Sequence, residues 1–278
     1  GTGSTNVTYT SLNKDILTVS ESTPQTMTGV KAGKANLKVT SGGVSAYVVV
    51  TVSGGSEDDK YTPMVAAGEG FTVVLKANGS VWTWGDNSSD QLGRSTADTI
   101  GMVSIAEDVM YIAAGKNSAY AVTYKKNADG SEESKLYAWG DNTYGQLGND
   151  KTTATISTPV HVKSSDGTYL TGISMVSGGA NHVIAMSNTN DIYAWGDNSK
   201  AQYHEVANTH VANKITDKDS LNPENDDVFT SFSRVTAGWN YSVILTNNGY
   251  LWALGNNTYG QLGDMTETDS DEPVRVGF

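Results

Sequence analysis

The chain contains no cysteine, which excludes disulfide bonds, thiolate metal sites and cysteine nucleophiles. It is also poor in positive charge, with 18 Lys and Arg against 30 Asp and Glu and a formal net charge of -12. Nucleic-acid binding draws most of its affinity from cations that meet phosphates, so neither DNA nor RNA is an expected partner. No apolar run approaches the ~20 residues that a membrane-spanning helix needs, so membrane insertion is not expected either.

Glycine, by contrast, is abundant, with 30 residues in a chain of 278, and Thr, Ser and Asn are also frequent. Only 17% of the residues are charged. This composition favours short strands joined by many turns over long helices. The sequence therefore predicts an all-β protein.

One motif occurs four times along most of the chain. It consists of an aromatic or Leu followed by Gly, then Asp-Asn or Asn-Asn, and its aromatic position recurs after 55, 56 and 59 residues, at Trp84, Trp139, Trp195 and Leu254. Gln-Leu-Gly follows in three copies, whereas the third copy has Gln202-Tyr203-His204. Asp90 and Ala201 stand where the other two copies have a turn glycine. A fixed period of this length indicates a repeat architecture.

A second phrase of small residues precedes each motif and ends at Gly68, Gly115, Gly179 or Gly238. The interval from this Gly to the Gly of the motif is 17 residues in three copies and 25 in the second, where a polar loop is inserted. Asn78-Gly79 and Asn248-Gly249 lie inside that interval and predict two-residue hairpin turns. Small residues suit strands that crowd around a central axis, so each copy is expected to form one blade of a β-propeller.

The Trp-Gly-Asp-Asn-x-x-Gly-Gln-Leu-Gly string resembles the propeller repeat of the regulator of chromosome condensation family. The resemblance covers the chain from about residue 61 to its end and implies a β-propeller of four tandem repeats, each about 55–59 residues long. Members of this family usually have seven blades, so four repeats do not make a ring of the usual size.

The first 55 residues lack the repeat and contain short strand-like segments. Leu17-Thr-Val-Ser20, Gly29 to Ala35 and a Val-rich closing strand are similar to the later part of the bacterial immunoglobulin-like domain, group 2. The predicted organisation is a partial immunoglobulin-like β-sandwich segment at 1–55, a linker at 56–60 and a propeller at 61–278. Such domains are typically spacers in bacterial surface proteins, so the resemblance implies a secreted or cell-surface location.

The candidate binding residues follow the inner-strand glycines. In propellers that this sequence resembles, the loop after this Gly faces the mouth of the ring and helps to bind partners. By position this implicates Glu69, Phe71, Lys116, Asn117, Asn181, His182, Trp239 and Tyr241. Variable residues on an invariant frame are where binding specificity usually lies, and Trp and Tyr are favoured at hot spots.

Neither a catalytic residue nor a metal or cofactor site is predicted. The histidines have no metal-ligand spacing, and Asp86, Asp141 and Asp197 recur with the repeat, which favours a turn role in every blade. His182 is open to a structural reading as well as a binding one.

The predicted function is an extracellular or cell-surface bacterial binding module, adhesin-like and non-enzymatic, whose propeller mouth recognises a protein or a glycan. The alternatives are a secreted enzyme inhibitor and a polysaccharide hydrolase or lyase. Exposed strand edges also allow oligomers. We expect Val274-Arg-Val276 to close the array by pairing with the first blade. The alternatives are closure between two chains and an array that is part of a longer one.

Overall fold

The computed structural model describes residues 7–22, 25–30, 33–41, 43–52, 60–95, 100–151, 153–203, 207–215 and 231–277. It divides into two compact units, Gly1–Lys60 and Tyr61–Phe278. Throughout the described ranges the regular elements are strands, so the predicted all-β class is confirmed. No helix in these ranges could span a membrane. Residues 56–59 of the predicted linker and His204 lie outside the described residues.

The first unit contains two small antiparallel sheets. Its strands are β1 (Val7–Ser11), β2 (Leu17–Val19), β3 (Met27–Gly29), β4 (Gly33–Ser41) and β5 (Val44–Val52). One sheet has the order β1-β4-β5 and the other pairs β2 with β3. A small core forms around buried Leu17, Ala35 and Leu37, whereas most of β5 is exposed. The immunoglobulin-like assignment of this unit stays a prediction.

The second unit contains four four-stranded antiparallel sheets in the described residues, one for each repeat. In each sheet the strands neighbour one another in the order in which the chain forms them. Blade one has β6 (Met64–Ala67), β7 (Phe71–Leu75), β8 (Val81–Gly85) and β9 (Gly101–Met102). The predicted strand–hairpin–strand arrangement between Gly68 and Gly85 is therefore confirmed.

The other three blades repeat this plan. Blade two has β10 (Val109–Ala114), β11 (Ser118–Thr123), the short strands β12 (Lys125–Lys126) and β13 (Glu132–Glu133) of the inserted loop, β14 (Leu136–Asp141) and β15 (Thr155–His161). Blade three has β16 (Ile173–Gly178), β17 (His182–Ser187), β18 (Ile192–Gly196) and β19 (Thr209–Ile215). Blade four has β20 (Phe232–Ala237), β21 (Tyr241–Thr246), β22 (Leu251–Gly255) and β23 (Ser270–Arg275).

The hairpin turns between the second and third strands differ from the predicted two-residue turns. In blade one, Lys76 N donates to Ser80 O at 2.9 Å and Gly79 N donates to Lys76 O at 2.9 Å. Gly79 has φ +81°, whereas Asn78 is not among the residues with positive φ. A turn that ends in a left-handed residue gives a three-residue loop with a bulge, not a type I′ turn, which requires two positive φ angles. Blade four repeats this turn around Gly249.

Blade three shows that glycine is not essential at this turn. Ser187 N donates to Asp191 O at 2.9 Å, and the left-handed position is taken by Asn190, with φ +63°. Asn tolerates this conformation better than most residues because its short polar side chain bonds locally. The turn is therefore present in a copy that has no Asn-Gly pair.

The core consists of layers between neighbouring blades. Between blades one and two, Trp139 packs with Val73, Leu92, Val103 and Ala121, all of them buried. Trp195 occupies the corresponding place between blades two and three. Each middle blade is therefore buried on both faces, and β11 and β17 are buried along their whole length.

Among the described residues, the first and last blades are each covered by a neighbouring blade on one face only. Strands β7 and β21 alternate between buried and half-buried residues, unlike the fully buried β11 and β17. The inner strands of consecutive blades pack together, but across the described residues the strands of blades one and four make no comparable contact. The four blades therefore form an open arc.

The predicted role of Val274-Arg-Val276 in closing the array is wrong. Val274 pairs with Ala253 and Arg275 pairs with Trp252, so β23 is the outer strand of its own blade. Blade one likewise completes its own sheet with β9. Because every blade is contiguous in sequence, no terminal strand has to cross to another blade.

Candidate functional site

The repeated motif forms the loop between the third and fourth strands of each blade. In blade one, Asp86 Oδ1 accepts from Ser88 N at 3.1 Å, Asn87 Oδ1 accepts from Leu92 N at 2.9 Å, and Gln91 Oε1 accepts from Ser89 N at 2.7 Å. Hydrogen bonds from Ser88 lower the pKa of the Asp86 carboxyl below its ordinary value. These bonds confirm that the recurring Asp supports a turn.

The degenerate third copy keeps this loop. Tyr203 N donates to Asn198 Oδ1 at 2.9 Å, and the buried Tyr203 hydroxyl donates to Gly196 O at 2.7 Å. Burial raises the pKa of Tyr203 to about 12. Ala201 adopts φ +56° at the position of the missing turn glycine, so the loop forces a left-handed conformation on a residue that disfavours it.

The four blades together surround a cavity of about 360 Å³ at the mouth of the arc. Its wall consists mostly of Ala and Gly from the ends of the inner strands, and the larger side chains are Glu69, Lys116 and Trp239. Three backbone hydrogen bonds join the loops of neighbouring blades, from Glu69 N to Lys116 O at 2.7 Å, from Lys116 N to Gly179 O at 3.0 Å and from Ala180 N to Trp239 O at 2.9 Å. The rim is therefore a linked backbone that presents one variable side chain per blade.

Three of the predicted residues meet at this mouth. Lys116 Nζ lies 3.4 Å from Glu69 Oε2 and 5.3 Å from the centre of the Trp239 ring. Trp239 is 57% exposed. The ion pair is solvent-accessible and contributes at most about 1 kcal/mol, whereas an exposed Trp beside a cation offers a large apolar surface to a partner.

The other predicted residues have buried or half-buried side chains, or make hydrogen bonds through their backbone carbonyl groups. Phe71 and His182 are buried between blades, where a partner cannot reach their side chains, and each lies against an inner-strand glycine. Asn117 and Asn181 use their carbonyl oxygens to accept from Asp141 N and Asp197 N, both at 2.9 Å. Tyr241 is half-buried and packs against Gly238. A binding role for the exposed subset stays a prediction.

The burial of His182 supports the structural reading of this residue. His182 Nε2 lies 3.1 Å from Ser242 Oγ across the junction between blades three and four. Desolvation is the main cause that lowers the pKa of His182 to about 4, although the nearby Asp197 carboxylate acts in the opposite direction. The histidine is therefore neutral at pH 7 and belongs to the interblade core.

Ala180 was not among the candidate binding residues, but it lines the mouth at the position that Glu69, Lys116 and Trp239 occupy in the other blades. The signal was available, because Ala180 immediately follows an inner-strand glycine. Among the described residues no group of three or more His, Cys, Asp or Glu side chains could hold a metal ion.

Comparisons with known proteins agree with this architecture. A family model described as the regulator of chromosome condensation (RCC1) repeat matches residues 133–186 and 248–278, and a second model of the same repeat matches 65–91, 173–202 and 232–261. The repeats are RCC1 repeats. The matched ranges include parts of all four blades, and the predicted resemblance of the propeller is confirmed.

Curated relatives of these RCC1 repeats are longer than this chain. The ultraviolet-B receptor UVR8 of Arabidopsis thaliana is 28% identical over 244 residues, which cover 81% of this chain and 50% of UVR8. The guanine nucleotide exchange factor SRM1 of Saccharomyces cerevisiae is 26% identical, over 76% of this chain and 45% of SRM1. The chain thus spans about half the length of these relatives.

Solved structures share the fold. Yeast RCC1 (Prp20), in its complex with Kap60, has a TM-score of 0.59 and 22% identity, and the match covers 88% of this chain and 57% of that one. Human WBSCR16 has a TM-score of 0.63 and 18% identity, with 89% and 66% covered. An arc that matches little more than half of a larger propeller is consistent with the uncovered outer faces of blades one and four.

Proposed function

We propose that the propeller mouth is a protein-binding site and that Trp239 is its principal contact residue. The observation that carries this proposal is the exposed Trp239 ring beside Lys116 on a rim otherwise built from small residues. Trp is enriched among residues that dominate binding energy. The linked loop backbone holds the rim in place, which reduces the entropy lost when a partner binds.

Relatives support a binding role. The structure of yeast RCC1 (Prp20) has been solved in complex with Kap60. A second structure of Prp20p was described together with its binding to Gsp1p and histones. Other relatives are named as an exchange factor and as the E3 ubiquitin-protein ligase HERC2, of which the match covers only 4%. Their activities therefore do not transfer to this chain without a test.

A non-enzymatic function is the second part of the proposal. Glu69 is the one carboxylate among the described residues that line the mouth, and it is paired with Lys116. Hydrolysis of a glycosidic bond requires two carboxylates at a defined separation. A mouth with one paired carboxylate and one exposed aromatic residue favours recognition over that chemistry.

The third part of the proposal is the setting in which this binding takes place. We propose that the first unit is a partial immunoglobulin-like domain that carries the propeller on a secreted or surface-displayed bacterial protein. The three-stranded sheet β1-β4-β5 and the partly exposed Val-rich β5 support a sandwich fragment. In that setting a surface glycan is the second candidate ligand, because an exposed Trp can stack on a sugar ring.

The test is a pulldown of surface proteins and a glycan array with the purified chain and its Trp239→Ala variant. Tyr259→Ala is the matched control, since Tyr259 is also exposed but lies outside the mouth cavity. We expect capture of a protein that Trp239→Ala weakens at least tenfold and Tyr259→Ala leaves unchanged. Equal binding by both variants would exclude the mouth, and turnover on a polysaccharide panel would refute the non-enzymatic assignment.

A further inference from the structure

The interior blade junctions share one contact. Trp139 Nε1 donates to Gln91 O of the preceding blade at 3.0 Å, and Trp195 Nε1 donates to Gln146 O at 2.9 Å. At the third junction Leu254 replaces Trp, and Ser242 Oγ donates to Gln202 O at 2.6 Å instead. The carbonyl of the repeat Gln is thus the acceptor for the following blade at every junction.

The face of blade one that corresponds to the Trp side of an interior junction has no blade packed against it among the described residues. We call this surface the tail face and define it by Val65, Val74, Trp82, Trp84 and Met102, which share one side of the sheet. Val65 is 72% exposed. The residues at the same repeat position, Ile112, Val176 and Val235, are 2%, 1% and 4% exposed because a preceding blade covers them.

The burial of the Trp84 side chain also shows that this face lacks a neighbouring blade in the described part of the chain. Trp84 is half-buried, whereas Trp139 and Trp195, its counterparts in blades two and three, are fully buried. The tail face therefore carries the Trp of the junction motif, but among the described residues no preceding blade packs against this Trp. An apolar face with Val65 and Met102 exposed is typical of an interaction surface.

The complementary half of the junction lies on blade four, where no blade covers it among the described residues. We call this surface the head face and define it by Tyr241, Val243, Leu245, Leu251 and Val276, all half-buried. Their counterparts in blade one are buried by blade two; these are Phe71, Val73, Leu75, Val81 and Val103.

The loop next to the head face retains the acceptor geometry. Gln261 and Gly263 correspond to Gln91 and Gly93, and the Trp139 ring lies directly against Gly93. Gly263 faces Val276 and borders an open groove that also includes Met265. The groove lies beside Gly263 at the position that the Trp139 ring occupies beside Gly93.

We propose that the tail face of one chain docks on the head face of a second copy, with Trp84 Nε1 donating to Gln261 O. At two of the three interior junctions the blade that packs on this kind of surface presents a Trp at the motif position on an apolar sheet, and the tail face of this chain has these features. The contact is continuous with the interior junctions, which already join the same two kinds of surface twice within one chain. Two copies related by a twofold axis make two identical junctions and close a ring of eight blades, within the usual 4–8 of propellers.

The proposal is tested with the full chain by light scattering over a concentration series. We expect a mass twice the 29.4 kDa of one chain. Trp84→Glu in the tail face and Val276→Glu in the head face each place an unpaired charge in the junction, so each should raise the dissociation constant on the order of 100-fold or more. Tyr259→Glu is the matched control in blade four, because the corresponding Tyr144 stays exposed although blade three follows it.

Mixing the two variants makes the test independent of folding defects. Trp84→Glu retains an intact head face and Val276→Glu retains an intact tail face, so an equimolar mixture should form a dimer through one junction. A wild-type chain that remains monomeric would overturn the proposal. So would a dimer that survives both substitutions, or a mixture that stays monomeric while each variant unfolds cooperatively like the wild type.

Discussion

Replacing Trp139 with Phe should cost more stability than the same change at Trp195, although both rings are fully buried at equivalent junctions. The indole N–H of Trp139 donates to Gln91 O, and no other described donor reaches that carbonyl. Gln146 O, by contrast, accepts from Trp195 Nε1 and also from the Tyr120 hydroxyl at 3.0 Å. The change at Trp139 therefore leaves a buried acceptor unpaired, and the change at Trp195 does not.

The magnitudes follow from these contacts. An unpaired buried acceptor costs about 1–3 kcal/mol, and the smaller ring gives up roughly 1 kcal/mol of apolar burial. We expect a loss of about 2–4 kcal/mol for Trp139→Phe and about 1–2 kcal/mol for Trp195→Phe. In a unit of this size the first value lowers the melting temperature by roughly 5–10 °C.

The measurement is the free energy of unfolding from denaturant titrations of both variants and the wild type. Trp239→Phe serves as the control, since its exposed ring should change stability by less than about 0.5 kcal/mol. If Trp195→Phe proves as costly as Trp139→Phe, the second donor at Gln146 O does not compensate, and the hydrogen-bond reasoning is refuted.

Two further predictions concern single residues of blade three. The pKa of His182 is about 4 in the folded chain and about 6.5 when unfolded, so the unfolded state binds the extra proton between these values. Stability should fall by about 3 kcal/mol as the pH drops from 6.5 to 4; His182→Phe should flatten this dependence, and an unchanged pH profile of unfolding would contradict it. Ala201→Gly should raise the unfolding free energy by roughly 0.5–1 kcal/mol, because Ala201 has φ +56°. The parallel change Asp90→Gly should not raise the unfolding free energy, because it removes the bond that Asp90 Oδ2 accepts from Thr155 Oγ1 at 2.6 Å. Thermal melts of both variants check this, and an equal rise in stability for the two would contradict the reasoning.

The blade loops could be predicted from the sequence because their interactions are local. Asp86 bonds two residues ahead, and Asn87 bonds five residues ahead. The Asn bond recurs in all four copies, even around Tyr203, and the Asp bond recurs in the three copies that have Asp. The four-copy motif therefore determined the blades, their boundaries and the turn role of the recurring Asp without knowledge of the rest of the fold.

The candidate site was predicted in part. Glu69, Lys116 and Trp239, which follow the inner-strand glycines, line the mouth cavity, and their binding role stays a prediction. The neighbouring Phe71 and His182 were included by the same rule, but their side chains point into the layers between blades. A rule based on sequence position alone cannot separate exposed from buried residues here. Successive side chains of a strand point to opposite faces of the sheet, and the burial of each face depends on what packs against it.

Which repeat positions are buried was decided only by the tertiary structure. Val65 and Ile112 occupy the same repeat position, yet one is 72% exposed and the other 2%, because a blade stands against the second alone. The pairing of Val274 within its own blade is equally invisible in the sequence, since an isolated strand pattern does not say which edge it joins. The sequence by itself determined each blade, through hydrogen bonds that span a few residues. Packing between blades, which joins residues about fifty positions apart, determined which faces are covered in the described part of the chain and where the mouth forms.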